Sequence, residues 1–208
     1  MKPLYNGVDL SHWNGNVDFN SLKKNGVDFA IIKAGGNEGR TYKDAKFLKY
    51  YNDAVNAGVH VGCYYFVGKN FVNEKQGIKD AEHFLSLIKG LKFTFPVALD
   101  IETTPYTAKS GATEACIAFC STLEKYGYYV TIYSSDISGF LQRLNLAKLA
   151  AYDKWVARYG SAPKYVKSYG MWQYSSTGKF NNHKGNFDLD YAYKDYPLII
   201  KKNHLNGW

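Results

Sequence analysis

The chain has 208 residues, enough for one domain, or one domain with a short appendage. Its 46% apolar and 21% charged residues exclude a disordered chain, a collagen-like fibre and a coiled coil. Lys plus Arg (26) exceeds Asp plus Glu (18), a net charge of +8, and 17% of the residues are aromatic, which leaves nucleic acid, carbohydrate and anionic polymers open as partners. Only Arg40, Arg143 and Arg158 are arginines, whereas specific phosphate and base recognition leans on the bidentate guanidinium. No nucleic-acid partner is therefore expected. Cys63, Cys116 and Cys120 match no disulfide or redox spacing, and the five histidines form no H-E-x-x-H pair, so neither metal nor cofactor is expected. No apolar run is long enough to span a membrane, and residues 1–5 do not resemble a signal peptide.

Segments of two periods alternate along the chain. A first strand closes on Val8-Asp-Leu10, and a short helix over 17–25 ends at Gly26. A strand over 29–34 stops at Gly35-Gly36. A helix over 44–57 ends at Gly58 and leads into a strand over 59–67. A helix over 74–88, a strand over 95–101, a helix over 112–126 and a strand over 128–134 follow, then a helix over 137–151. Strands over 155–159, 170–175 and 187–191 have no helix between them, and the tail 201–208 reads as polar and loose. Five successive strand–helix units demand parallel pairing with right-handed crossovers. The expected fold is α/β: an irregular TIM-like (β/α)5β3 barrel of eight strands and five main helices, occupying 1–193, with 194–208 as a C-terminal tail.

The strongest local signal is Phe95-Pro-Val-Ala-Leu-Asp-Ile-Glu102. Side chains alternate along a strand, so Val97, Leu99 and Ile101 share one face and Ala98, Asp100 and Glu102 the other. Two residues of strand advance about 6.6 Å. That spacing suits glycosidic bond cleavage, in which one carboxyl protonates the leaving oxygen and the other handles positive charge at the anomeric carbon. Asp9 ends the first strand. Asp188 lies in the last, next to it in a closed barrel, and by parity Asp190 shares its face. Four acids at one mouth raise one another's pKa, which keeps a general acid protonated. Tyr64, Phe66, Tyr133, Trp155, Trp172 and Tyr174 are placed at the same end, where aromatic faces can stack on sugar rings. Lys33 stands there to hold a hydroxyl or steady a carboxylate, and His12 and Trp13 sit in a loop at the mouth.

Gly7-Val-Asp-Leu-Ser-His-Trp13, Phe29-Ala-Ile-Ile-Lys-Ala34, Tyr42-Lys-Asp44 with Phe47, Ala57-Gly-Val-His-Val-Gly-Cys-Tyr-Tyr-Phe66, Val97-Ala-Leu-Asp-Ile-Glu102, Trp172-Gln-Tyr174 and Asn186-Phe-Asp188 occur in the order of the glycoside hydrolase family 25 lysozymes. These are the Chalaropsis-type N-acetylmuramidases of phage endolysins and secreted bacterial enzymes. The resemblance runs from about Gly7 to Tyr193. It implies a flattened barrel of eight strands and five helices that hydrolyses the β-1,4 bond between N-acetylmuramic acid and N-acetylglucosamine in peptidoglycan. It implies Glu102 as general acid, Asp100 as partner carboxylate, Asp9 and Asp188 as supporting acids, and Tyr64 as a cleft tyrosine, with Asp188 favoured over Asp190. A substrate-assisted route with retention is expected.

Some features depart from the family. Residues 35–41 are not the usual short Thr-Glu-Gly turn, Asp190 stands where Asn is frequent, and no wall-binding repeats follow residue 193. Other readings are a catalytically silent peptidoglycan-binding module and a chitinase-like glycosidase, although Ala98 occupies an acid position of the chitinase D-x-x-D-x-D-x-E run. The expected place of action is the bacterial wall, reached during phage lysis from the host cytoplasm, or by secretion from a bacterium. The basic surface is expected to meet anionic wall polymers.

Overall fold

A computed structural model describes residues 2–181 and 183–208. Nine strands form one sheet: β1 (Tyr5–Leu10), β2 (Phe29–Asn37), β3 (Thr41–Lys43), β4 (His60–Val67), β5 (Val97–Ile101), β6 (Val130–Ser135), β7 (Asp153–Ala157), β8 (Met171–Gly178) and β9 (Phe187–Ala192). Eight of them close a barrel in the order β1-β9-β8-β7-β6-β5-β4-β2, with β2 returning to β1; β3 only extends β2 as a hairpin. Pairing is parallel from β1 through β2 and β4 to β8, whereas β9 runs antiparallel to both of its neighbours. An antiparallel return needs only a short connection, so no helix separates β8 from β9.

Helices α1 (Phe19–Lys24), α2 (Phe47–Asn56), α3 (Glu74–Ile88) and α4 (Lys109–Lys125) cover the outer wall. Asp18 and Asn73 start α1 and α3 by accepting the backbone N–H of Ser21 and Gln76. Val97, Leu99 and Ile101 of β5 pack against these helices, with Phe84, Phe119 and Leu123 in the same layer. The helix expected over 137–151 does not form. A π-helical turn over Asp136–Leu141 and a 3-10 turn over Leu146–Leu149 take its place. A Cβ on Gly139 would stand 1.9 Å from the Ser134 hydroxyl, so the turn must lie flat on β6. The Asn145 N–H is drawn away to Thr113 on α4. The parallel step from β7 to β8 also lacks a helix. Asp136 holds this connection by accepting the N–H groups of Lys164, Tyr165 and Val166 and the guanidinium of Arg158. Burial alone would raise its pKa, but these donors outweigh it and pull the carboxyl below its usual range.

The fifth α-helix, α5 (Tyr196–Lys202), comes after the last strand. It corrects the expectation of a loose tail. Tyr196 and Ile200 join Phe29 and Phe95 inside the barrel, where the two phenyl rings stack at 4.3 Å. Gly7 is glycine because any Cβ there would meet the Phe29 ring. Beyond α5, buried Asn206 takes the Tyr129 N–H on Oδ1 at 2.8 Å and gives its amide to the Phe95 carbonyl at 2.9 Å. Trp208 donates to the Phe93 carbonyl and lies under Lys92 and Lys201. The tail is thus the seal of the barrel floor. It was unreadable from periodicity because its anchors are single hydrogen bonds rather than an apolar stripe. Among the described residues, no helix is long and apolar enough to cross a membrane.

Asn206→Ala leaves two buried backbone groups without partners. It should lower unfolding stability by about 2–4 kcal/mol, measured by urea denaturation; a loss below about 0.5 kcal/mol would show that the tail does not anchor the floor.

Candidate active site

Parallel strands bring their C-terminal ends to one mouth, where functional side chains of such barrels gather. Inward positions run across the sheet in register. Phe66 pairs with Asp100, Asp100 with Tyr133 and Tyr133 with Trp155. On the other side Gln173 pairs with Asp190 and Asp188 with Asp9. The antiparallel sense of β9 brings its N-terminal end to the mouth, which is how Asp188 arrives beside Asp9.

Asp100 is 5% exposed, and Glu102, just past the end of β5, opens to solvent in the cleft. The two acids stand two residues apart on one face of β5's end and act on each other's ionisation, and Asp100 Oδ1 is buried without a hydrogen-bond partner. Burial, then the charge of Glu102, pushes Asp100 well above the normal range. Burial, with the charge of Asp188, raises Glu102. Lys33 works against both shifts, and Arg143 against that of Glu102. The Lys33 ammonium is held in a cage of rings, 4.6 Å from the Phe66 centroid, 5.5 Å from Tyr42 and 5.9 Å from Tyr64.

A second group of acids faces the first. Asp9, 9% exposed, accepts the Gln173 amide at 2.7 Å. Gln173 in turn accepts the hydroxyls of Tyr133 at 2.8 Å and Tyr159 at 3.1 Å. Asp190 is wholly buried and accepts the Trp155 indole N–H at 2.7 Å. Burial, then the charges of Asp190 and Asp188, raises Asp9; burial also raises Asp188.

The mouth therefore brings together Asp9, Asp100, Glu102, Asp188, Tyr64, Tyr133, Phe66 and Lys33. It does not bring in Trp172. Met171 and Gln173 take the inward positions of β8, so Trp172 and Tyr174 face outward. The Trp172 indole donates to the Arg158 carbonyl, and its ring lies edge-on to Tyr174 and Tyr191. Placing Trp172 in the cleft was an error of parity. The same parity rule applied to Trp172-Gln-Tyr174 would have picked out Gln173. Tyr159, 55% exposed beyond β7, carried no sequence signal, because loop geometry alone turns it to Gln173. Trp13 stands 83% exposed at the rim, stacked on His12, which Asp44 anchors at 2.7 Å. Beside Thr103, next to Glu102, a hollow of about 590 Å³ continues the cleft between Glu38, Gly39, Lys69 and Asn70.

The sequence model described as "Glycosyl hydrolases family 25" matches residues 8–183. The autolytic lysozyme of Clostridium acetobutylicum is 33% identical over 191 residues, covering 88% of this chain and 54% of that protein. Lysozyme M1 of Streptomyces globisporus is 32% identical, covering 88% of this chain and 65% of that protein. The chain thus spans little more than half to two thirds of the length of these relatives. Among solved structures, the CTP1L endolysin superposes with a TM-score of 0.84 at 29% identity, over 96% of this chain and 70% of that one. The bacterial lysozyme of Streptomyces coelicolor superposes with a TM-score of 0.76 at 26% identity, over 91% of this chain and 92% of that one. With its closed eight-stranded barrel and its acid mouth, the chain belongs to glycosyl hydrolases family 25.

Proposed function

We propose that the chain is a muramidase that hydrolyses the β-1,4 bond between N-acetylmuramic acid and N-acetylglucosamine in peptidoglycan. The observation that carries this reading is the buried Asp100 beside solvent-facing Glu102, both raised by burial, at the mouth of a family 25 barrel. The names of the two lysozyme relatives support it.

Glu102 is the general acid. It is the solvent-facing member of the pair, and its raised pKa keeps it able to protonate the leaving glycosidic oxygen. That step leaves Asp100 as a buried carboxylate beside the developing oxocarbenium ion. The reaction proceeds with retention: the substrate's own N-acetyl oxygen attacks the anomeric carbon, and Asp100 orients and stabilises it. Asp9 and Asp188 shape the field of the opposite wall. Tyr64, Tyr133 and Phe66 line the cleft, Lys33 moderates the acid pair, and the hollow beside Thr103 takes a neighbouring sugar or its peptide stem.

The place of action is the bacterial wall, and likeness to an endolysin favours a role in phage lysis over secretion. The lysine-rich chain, with a net charge of +8, attracts anionic wall polymers.

Glu102→Gln should lower the clearing of Gram-positive walls by about 10²–10⁴-fold. Mass spectrometry of wild-type digests should show fragments ending in reducing N-acetylmuramic acid, and proton NMR should show the β-anomer formed first. Wild-type rates in the variant, or N-acetylglucosamine ends, would overturn the assignment. Lys33→Met removes the cation that lowers Asp100 and Glu102. Both limbs of the pH–activity profile should then move up by about one pH unit, and unmoved limbs would remove Lys33 from this role. Added salt should reduce wall clearing steeply while leaving cleavage of a small soluble oligosaccharide nearly constant; equal losses would rule out electrostatic wall attraction.

A further inference from the structure

Asp190 is a buried carboxyl that the reaction above does not use. It is 0% exposed, lies opposite Gln173 on β8 and Gly7 on β1, and sits one inward step below Asp188. One of its oxygens, Oδ1, takes the Trp155 indole N–H. The other, Oδ2, is buried without a hydrogen-bond partner, and Asp9 stands two register positions away on neighbouring β1 and acts on its ionisation. Asp9 Oδ2 accepts the Gln173 amide N–H. The orientation of that amide is fixed, because Gln173 Oε1 already accepts two tyrosine hydroxyls and only the NH₂ group remains for Asp9.

The two inward carboxyls are thus diagonal neighbours on β1 and β9, with one indole and one amide as their neutral anchors. The surroundings offer no ready neutralisation. Half-buried Asp188 adds a like charge from β9. Tyr64 on β4, Tyr133 on β6 and Tyr159 beyond β7 face Asp9 as neutral phenols. Trp155 and Gln173 are uncharged, and Lys33 on β2 acts across the mouth on Asp100 and Glu102. Two adjacent buried carboxylates would repel and leave both inner oxygens unsatisfied. One proton between them removes both penalties.

We propose that Asp190 is a positioning residue for the reaction: it shares one proton with Asp9 at neutral pH, so that the pair carries one negative charge and Asp9 is gripped between Asp190 and Gln173. Burial, with the charges of neighbouring carboxyls, raises both groups, Asp190 to about 8.

The test reads the proton itself. The unfolded carboxyls ionise near pH 4, whereas the native pair keeps its proton to higher pH, so stability falls as pH rises from about 4 through the pair's native range. Asp190→Asn replaces the proton with an amide hydrogen and removes this contribution. The wild-type melting temperature should fall more steeply than that of Asp190→Asn between about pH 5 and 8; parallel curves would overturn the proposal. Asp190→Leu should lower kcat/KM by at least about ten-fold, mainly through kcat, and Asp190→Asn should recover most of that loss. A fully active Leu variant would show that Asp190 positions nothing. If the Asn variant fails to fold, the carboxyl carbons of aspartate-labelled protein are followed by NMR in the Glu102→Gln background, where the introduced amide donates to Asp100. A carboxyl that remains protonated at pH 7 supports the pair, and uniformly ionised aspartates overturn it. The kinetic arm rests on the muramidase reading. The melting and NMR arms use no substrate and would stand if that reading failed.

Discussion

The structure depends on how the barrel closes. Strand β1 pairs in parallel with β2 on one side and antiparallel with β9 on the other. The reversal of β9 sends its leading end to the same mouth that receives the trailing ends of the other barrel strands. Asp188 is thereby set opposite Asp9, and Asp190 comes one layer below. A seventh parallel crossover would have delivered the other end of this strand and left the acids on the floor. The same reversal removes the need for a helix after β8. The wall on that side is held by an ionic clasp instead, in which Asp136 gathers the loop between β7 and β8.

Concentrating acids in the narrow upper half of a barrel conflicts with the cost of burying charge. The conflict is met with protons and neutral donors. Asp100 adjoins Glu102 along β5, and Asp9 adjoins Asp190 across β1 and β9. Gln173, Trp155 and, through Gln173, the tyrosines Tyr133 and Tyr159 supply the hydrogen bonds. Lys33 is held by rings, and it lowers the pKa of the acid pair from there. The aromatic share of the composition follows from this arrangement. Rings fill the barrel beneath the acids, cage the lysine, and present phenols whose own raised pKa values keep them as neutral donors.

What the sequence revealed and what it hid divide along physical lines. The face of 97–102 was legible because a strand has period two and Val97, Leu99 and Ile101 alternate with Asp100 and Glu102, Ala98 alone being apolar on the acidic face. Asp9 and Asp188 were legible once closure of the barrel was assumed. Trp172 was misplaced because its size drew attention before its parity, although Met171 and Gln173 on either side of it already claimed the interior. The segment over 137–151 carries apolar residues at helical spacing, yet Gly139 against Ser134 and the capture of Asn145 by Thr113 decide its shape, and both are tertiary contacts. Asp190 was visible as a residue but not as half of a pair. Its partner is 181 positions away, and only strand register brings the two together.

The sealed floor connects the stability of the barrel with the chemistry at its mouth. Raised carboxyl pKa values require a low-dielectric surrounding on every side but one. From above, the cleft must admit a glycan. From below, nothing in the eight strands excludes water, since Gly7 and Ala98 leave the lower interior open until Phe29 and Phe95 fill it. Those rings are held in turn by Tyr196 and Ile200 of α5, while Asn206 ties the Phe95 carbonyl to the chain end and Asp153 fixes the hydroxyls of Tyr129 and Tyr196. Loosening of the tail would let water rise beneath Asp100 and Asp190, lowering the penalty on their charged forms and releasing the shared protons. The last residues of the chain touch no substrate, yet they set the dielectric in which the acid pairs hold their protons.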